Sequence, residues 1–130
     1  MLKQLNTLMV YVQDMPRAVG FYRDVLGLPL VMESPGWSQF DLGSGIALGL
    51  HNAMGETRTP APGWIPGFAV DDVRAMKQRL VEANASITQD YHDIPGGVVI
   101  EFTDPDGNHI DVAQQGISVA DLGVAVHEQH

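Results

Sequence analysis

The sequence predicts an α+β domain made of two βαβββ modules, and three observations carry that prediction. One order of segments, a strand, a helix and then three strands, occurs twice along the chain. Each helical segment opens on an aspartate and places apolar residues at helical spacing. Each run of strands is broken by glycine-containing hairpin signals.

In the first module, "LMVYVQDMPRAVGFYRDVLG" starts with an apolar run of strand type. Asp14 then offers an N-cap, Pro16 lies in the first turn, and Val19, Tyr22, Val25 and Leu26 form the apolar stripe of a helix that Gly27 ends. Three strand segments follow, "LPLVMES", "WSQFDL" and "IALGLH", the last two joined by a Gly43-Ser44-Gly45 hairpin loop. In the second module "IPGFAV" is the strand and Asp72 the N-cap, and Val73, Met76, Leu80 and Ala83 are the helical stripe. The strands "SITQDY", "GGVVIEFT" and "HIDVA" complete it, with His92 read as a loop residue. The repeat is roughly 60 residues long, a period at which two modules share one core. The expected division of the single domain is module one at 5–52, a Gly/Pro/Thr/Asn-rich connection at 53–63, module two at 64–114 and a tail at 115–130. In the tail, Ser118 caps a short helix with Val119, Leu122 and Val126 along one side, while His127 and His130 at the chain end receive no chemistry.

Composition narrows the function. Among 130 residues, 7 Lys+Arg stand against 16 Asp+Glu, a net charge of −9 that repels nucleic acid and anionic membrane surfaces and attracts cations. No cysteine is present, so disulfides and thiolate chemistry are excluded and His, Asp and Glu are left as metal ligands. The N-terminal segment lacks the pattern of a signal peptide and no apolar run is long enough to span a membrane, so the expectation is a soluble, cytoplasmic protein.

Strand alternation sorts the side chains onto two faces. Leu8, Val10 and Val12, with Phe40, Leu48 and Leu50, belong under the first helix, and Val98, Ile100, Phe102, Ile110 and Val112 under the second. The opposite faces then carry Tyr11, Trp37, Gln39, Gly49 and His51 in one module, and Glu101, His109 and Asp111 in the other. If Asp104–Asn108, "DPDGN", is the hairpin loop, Thr103 pairs with His109 and Glu101 lies across from Asp111. Two carboxylates placed opposite each other call for a shared proton, a metal or a cation, which His109 could supply. The same cluster is also compatible with a solvated rim.

The paired modules, with "VQDMPRAVGFYRDVLGLPL" near the start and "FTDPDGNHIDV" near the end, resemble the vicinal oxygen chelate superfamily, which holds glyoxalase I, bleomycin-resistance proteins, fosfomycin-resistance enzymes and extradiol dioxygenases. The resemblance spans residues 5 to about 114. It implies that each module curls its mixed sheet into half of a cavity, with the helices on the convex side, and that the protein is a homodimer.

In metal-using members the ligands come from the first and last strands of each module, positions that fall here on Thr7, Gly49, Ile65 and Asp111. Of these only Asp111 binds metals well. The resemblance therefore implies no cofactor and a metal-free, acidic, aromatic-lined cavity. A small organic ligand, cationic as in the drug-sequestering branch, would meet Tyr11, Trp37, Gln39, Gly49, His51, His109 and Asp111. The alternative is a metal-dependent lyase, isomerase or dioxygenase in which His51, Glu101 and Asp111 hold one divalent metal ion, or an enzyme in which Glu101 is the catalytic base.

Overall fold

The computed structural model describes residues 1–56 and 63–123. The chain divides into two compact units, Met1–Pro60 and Ala61–His130. Each contains one four-stranded mixed sheet.

The first unit runs β1 (Thr7–Val12), α1 (Met15–Gly20), β2 (Leu30–Met32), β3 (Trp37–Asp41) and β4 (Ala47–Asn52), with sheet order β1-β4-β3-β2. Strands β1 and β4 are parallel and the other pairs antiparallel. The Asp14 side chain accepts from the Arg17 backbone N–H at 3.1 Å, the N-cap that the sequence predicts. Beyond Gly20 the helix widens into a π turn, Phe21–Val25, in which the Leu26 N–H donates to the Phe21 carbonyl. The wider turn resets the buried stripe: Met15, Ala18, Val19, Phe21 and Tyr22 are buried, whereas Val25 and Leu26 are only half-buried. Tyr22 meets Phe40 with ring centroids 6.0 Å apart, and Val12, Phe40, Leu48 and Leu50 complete the core under the helix. Gly27, at φ 75°, ends the segment as expected.

The second unit repeats the order: β5 (Gly67–Ala69), α2 (Val73–Glu82), β6 (Ile87–Ile94), β7 (Gly97–Thr103) and β8 (His109–Gln115), arranged β5-β8-β7-β6. The Asp72 side chain caps α2 by accepting from the N–H groups of Arg74 and Ala75. Val73 and Leu80 are buried and Met76 half-buried, but Ala83 stands exposed at the C-cap, where the stripe has rotated out. Lys77 ties the helix to β6, with its Nζ 2.8 Å from Asp90 and 4.6 Å from the centre of the Tyr91 ring. Val98, Ile100, Phe102, Ile110 and Val112 form the core.

Two further expectations change. His92 is no loop residue: β6 extends through it to Ile94 and pairs it with Val99. The described part of the tail, through Gly123, forms a 3₁₀ turn, Val119–Leu122, fixed by the Val119 N–H on Asp93 and by the Arg74 guanidinium on the Asp121 carbonyl. Val126, His127 and His130 lie outside the described residues. Among the described residues no helix is long and apolar enough to cross a membrane.

Candidate functional site

On the first sheet, the face turned away from α1 gathers five of the side chains singled out in the sequence. Register sets Tyr11 and Trp37 on either side of His51, and Gln39 beside Gly49. The His51 ring meets Tyr11 at 5.4 Å and Trp37 at 6.2 Å between centroids, both edge-on. The Trp37 indole lies across Gly49, and a Cβ built on that glycine would fall among the ring atoms Cη2, Cζ2 and Cζ3. The room that a small residue makes is thus taken by the indole, so Gly49 acts as a bed for Trp37. The indole Nε1–H donates to Gln39 Oε1 at 3.2 Å, which fixes the ring's rotation. His51 Nδ1 lies 2.7 Å from the Asn52 carbonyl. A cavity of about 560 Å³ in this unit lies elsewhere, at the C-terminal ends of β1 and β4, where Gln13, Asp14, Glu33 and Asn52 line it. None of the five side chains reaches it.

The second sheet carries the charged cluster. The loop Asp104–Asn108 closes the β7–β8 hairpin, so that Thr103 pairs with His109 and Glu101 with Asp111, the register that a five-residue loop predicts. Asp104 organises the loop: Oδ1 accepts from the N–H groups of Asp106 and Asn108, and Oδ2 from the Asn108 side chain, each at 2.9 Å. Gly107 sits at φ 87°, a conformation that glycine adopts without strain. Glu101 Oε2 is 3.0 Å from His109 Nδ1 and accepts from Thr88 Oγ1 at 2.7 Å. The Glu101 side chain is 20% exposed and that of His109 43%.

Thr88 is the partner that sequence reasoning missed. Continued without a break from the Ile94–Gly97 pair, the β6–β7 register would set Asp90 opposite Glu101, but bulges in β6 bring Gln89 there and the Thr88 hydroxyl within reach. Alternation alone does not reveal an inserted residue.

Asp111 is the odd member. Its Oδ1 is buried and has no hydrogen-bond partner among the described residues. Burial pushes its carboxyl above the usual carboxylate range and the neighbouring Glu101 adds to the rise, while His92 pulls against both. The raised value fixes the sign of the pH effect. The contribution of protonated Asp111 to stability is complete below the ordinary carboxylate pKa of about 3.9 and is lost as pH rises through the raised folded value. Asp111→Asn, which removes the charge and can donate to Glu101, is expected to stabilise the protein at pH 7 by about 1 kcal/mol. The gain should shrink towards pH 4, and denaturant unfolding of both proteins at the two pH values measures it. A variant less stable than wild type at pH 7 would contradict this assignment.

The donor set does not fit the metal positions that the family resemblance implies. Thr7 and Ile65 are weak or incapable ligands, and the space over Gly49 is filled by indole. For the alternative set, His51 belongs to the first unit and Glu101 and Asp111 to the second. Among the described residues no three His, Cys, Asp or Glu side chains form a group that could hold a metal ion.

Known proteins agree with this architecture. No curated protein matches the chain. A lactoylglutathione lyase from Agrobacterium tumefaciens is 26% identical, with a TM-score of 0.66 over 88% of this chain and 95% of that one. TnmS3, an antibiotic-binding protein from Streptomyces sp. CB03234, is 29% identical, with a TM-score of 0.70 over 88% of this chain and 98% of its own. A glyoxalase-related enzyme from Fulvimarina pelagi shares the fold at a TM-score of 0.74 and 19% identity, covering 88% of this chain and 89% of that chain. The profile of the glyoxalase/bleomycin resistance protein/dioxygenase superfamily matches residues 4–112, and the chain belongs to that superfamily.

Proposed function

We propose that this protein binds a planar organic molecule on the aromatic face of its first sheet and sequesters it without chemistry or metal. One observation carries the reading: an indole laid on a glycine, pinned by Gln39 and flanked edge-on by His51. Such a surface is a preformed stacking platform, costing little entropy on binding. The likeness to an antibiotic-binding protein supports it, and the net charge of −9 favours a cationic ligand. Fluorescence separates the two tryptophans, because Trp64 is 85% exposed and can be replaced by Phe to leave Trp37 as the reporter. In Trp64→Phe, a panel of acridine dyes and cationic drugs should include one that quenches saturably. Quenching that stays linear for every compound would remove the reading.

A second reading, that of an enzyme, is favoured by the Glu101–His109 contact and by the likeness to a lactoylglutathione lyase. Glu101 Oε2 already holds the Thr88 hydroxyl and His109 Nδ1, so the base would be His109 through Nε2, with Glu101 orienting the ring. Were lactoylglutathione lyase turnover found, His109→Gln should lower it about 100-fold. Turnover unchanged by that substitution would exclude His109 as the base.

A further inference from the structure

His51 has two ring nitrogens in different surroundings. Nδ1 lies 2.7 Å from the Asn52 backbone carbonyl, which can only accept a hydrogen bond. Nδ1 must therefore carry the proton. In the neutral ring the lone pair then sits on Nε2, which can only accept. Among the described residues the hydrogen bond of the ring is the one at Nδ1, and Nε2 is not a buried atom, so it is left for solvent or a ligand. The half-buried ring is held in place at the same time, edge-on to Tyr11 and at 84° to the indole. Trp37 is thus a floor and His51 a wall standing across it, with a lone acceptor whose direction is set by the backbone of β4.

Resting on the aromatic face as the binding face, we infer that the ligand is a planar aromatic molecule bearing a hydrogen-bond donor at its edge, a phenolic O–H or ring N–H, which His51 Nε2 reads. A stacked molecule without a donor leaves the acceptor unpaired once water is displaced, so the site discriminates against it. The Nδ1 bond has the supporting role that a backbone carbonyl has for a metal-bound histidine, fixing tautomer and orientation, but here it serves an organic partner. Gln39 Oε1 already accepts from the indole, whereas His51 Nε2 is the acceptor with no hydrogen bond committed among the described residues.

The test pairs 2-naphthol with 2-methoxynaphthalene, which share a ring system and an acceptor oxygen and differ in the donor. Titrated into Trp64→Phe at pH 8 with Trp37 as reporter, naphthol is expected to bind about tenfold more tightly, the worth of one neutral hydrogen bond. In the additional variant His51→Asn, which keeps an N–H for the Asn52 carbonyl and loses the distal acceptor, the two should bind alike, through a loss confined to naphthol. A long-range 15N–1H spectrum of the free protein should show His51 as the Nδ1–H tautomer. Equal affinities in the His51 protein, or the Nε2–H tautomer, would overturn the donor requirement while leaving the stacking platform standing. Saturable quenching by neither naphthalene nor by any dye of the panel would overturn the platform itself, and the donor requirement with it.

Discussion

Replacing Gly49 with valine is expected to destabilise the protein by about 2 kcal/mol and to abolish ligand binding on the first sheet. The backbone conformation is not the cause, because Gly49 is not among the residues of positive φ. The cause is the indole, whose six-membered ring occupies the place of the new side chain. Trp37 must then leave its bed, break its bond to Gln39 and lose its edge contact with His51. A double-mutant cycle isolates this coupling. In a Trp37→Ala background the same Gly49→Val change should cost almost nothing, because a β-branched residue suits a strand once the ring is gone. Equal costs in the two backgrounds, measured by urea unfolding, would show that the indole and the glycine are not coupled.

The second large effect belongs to the β7–β8 loop. Asp104 is 4% exposed, and the hydrogen bonds its carboxylate accepts include two from backbone N–H groups of its own loop and one from the Asn108 side chain. Asp104→Ala orphans those donors and is expected to cost about 3 kcal/mol, whereas Asp104→Asn keeps one acceptor oxygen and should cost roughly half as much. The damage should spread to the charged cluster, because the loop sets the register that places His109 against Glu101. The His109 ring resonances should therefore broaden or shift in Asp104→Ala and change little in Asp104→Asn. A cost below about 0.5 kcal/mol for the alanine variant would mean that the loop is held by its proline and glycine alone.

Why the sequence announces some of this and hides the rest follows from the range of each interaction. The "DPDGN" loop is short, so its length alone sets Glu101 opposite Asp111. The gathering of Tyr11, Trp37, Gln39, Gly49 and His51 on one face is legible too, since alternation has a period of two and three adjacent strands obey it. Features that depend on irregular backbone are not legible. The π turn at Phe21–Val25 changes which helix residues are buried, and the β6 bulges exchange Asp90 for Gln89 opposite Glu101. Both insert a residue into a regular period, and no residue type in "FYRDV" or "TQDY" demands it. Nor does a small residue say what fills its space: Gly49 looks like room for a ligand until the indole is seen across it. That Asp111 Oδ1 has no hydrogen-bond partner among the described residues is similarly a matter of burial and not of spacing.

The most direct test of ligand binding on the aromatic face follows the two indole N–H signals in a 1H–15N spectrum while an acridine dye is added. The Trp37 signal should shift and saturate with one dye per chain, while that of Trp64 stays in place, and Gly49→Val should remove the response. A dye that binds saturably yet leaves the Trp37 indole unmoved would contradict the assignment of this face as the binding site.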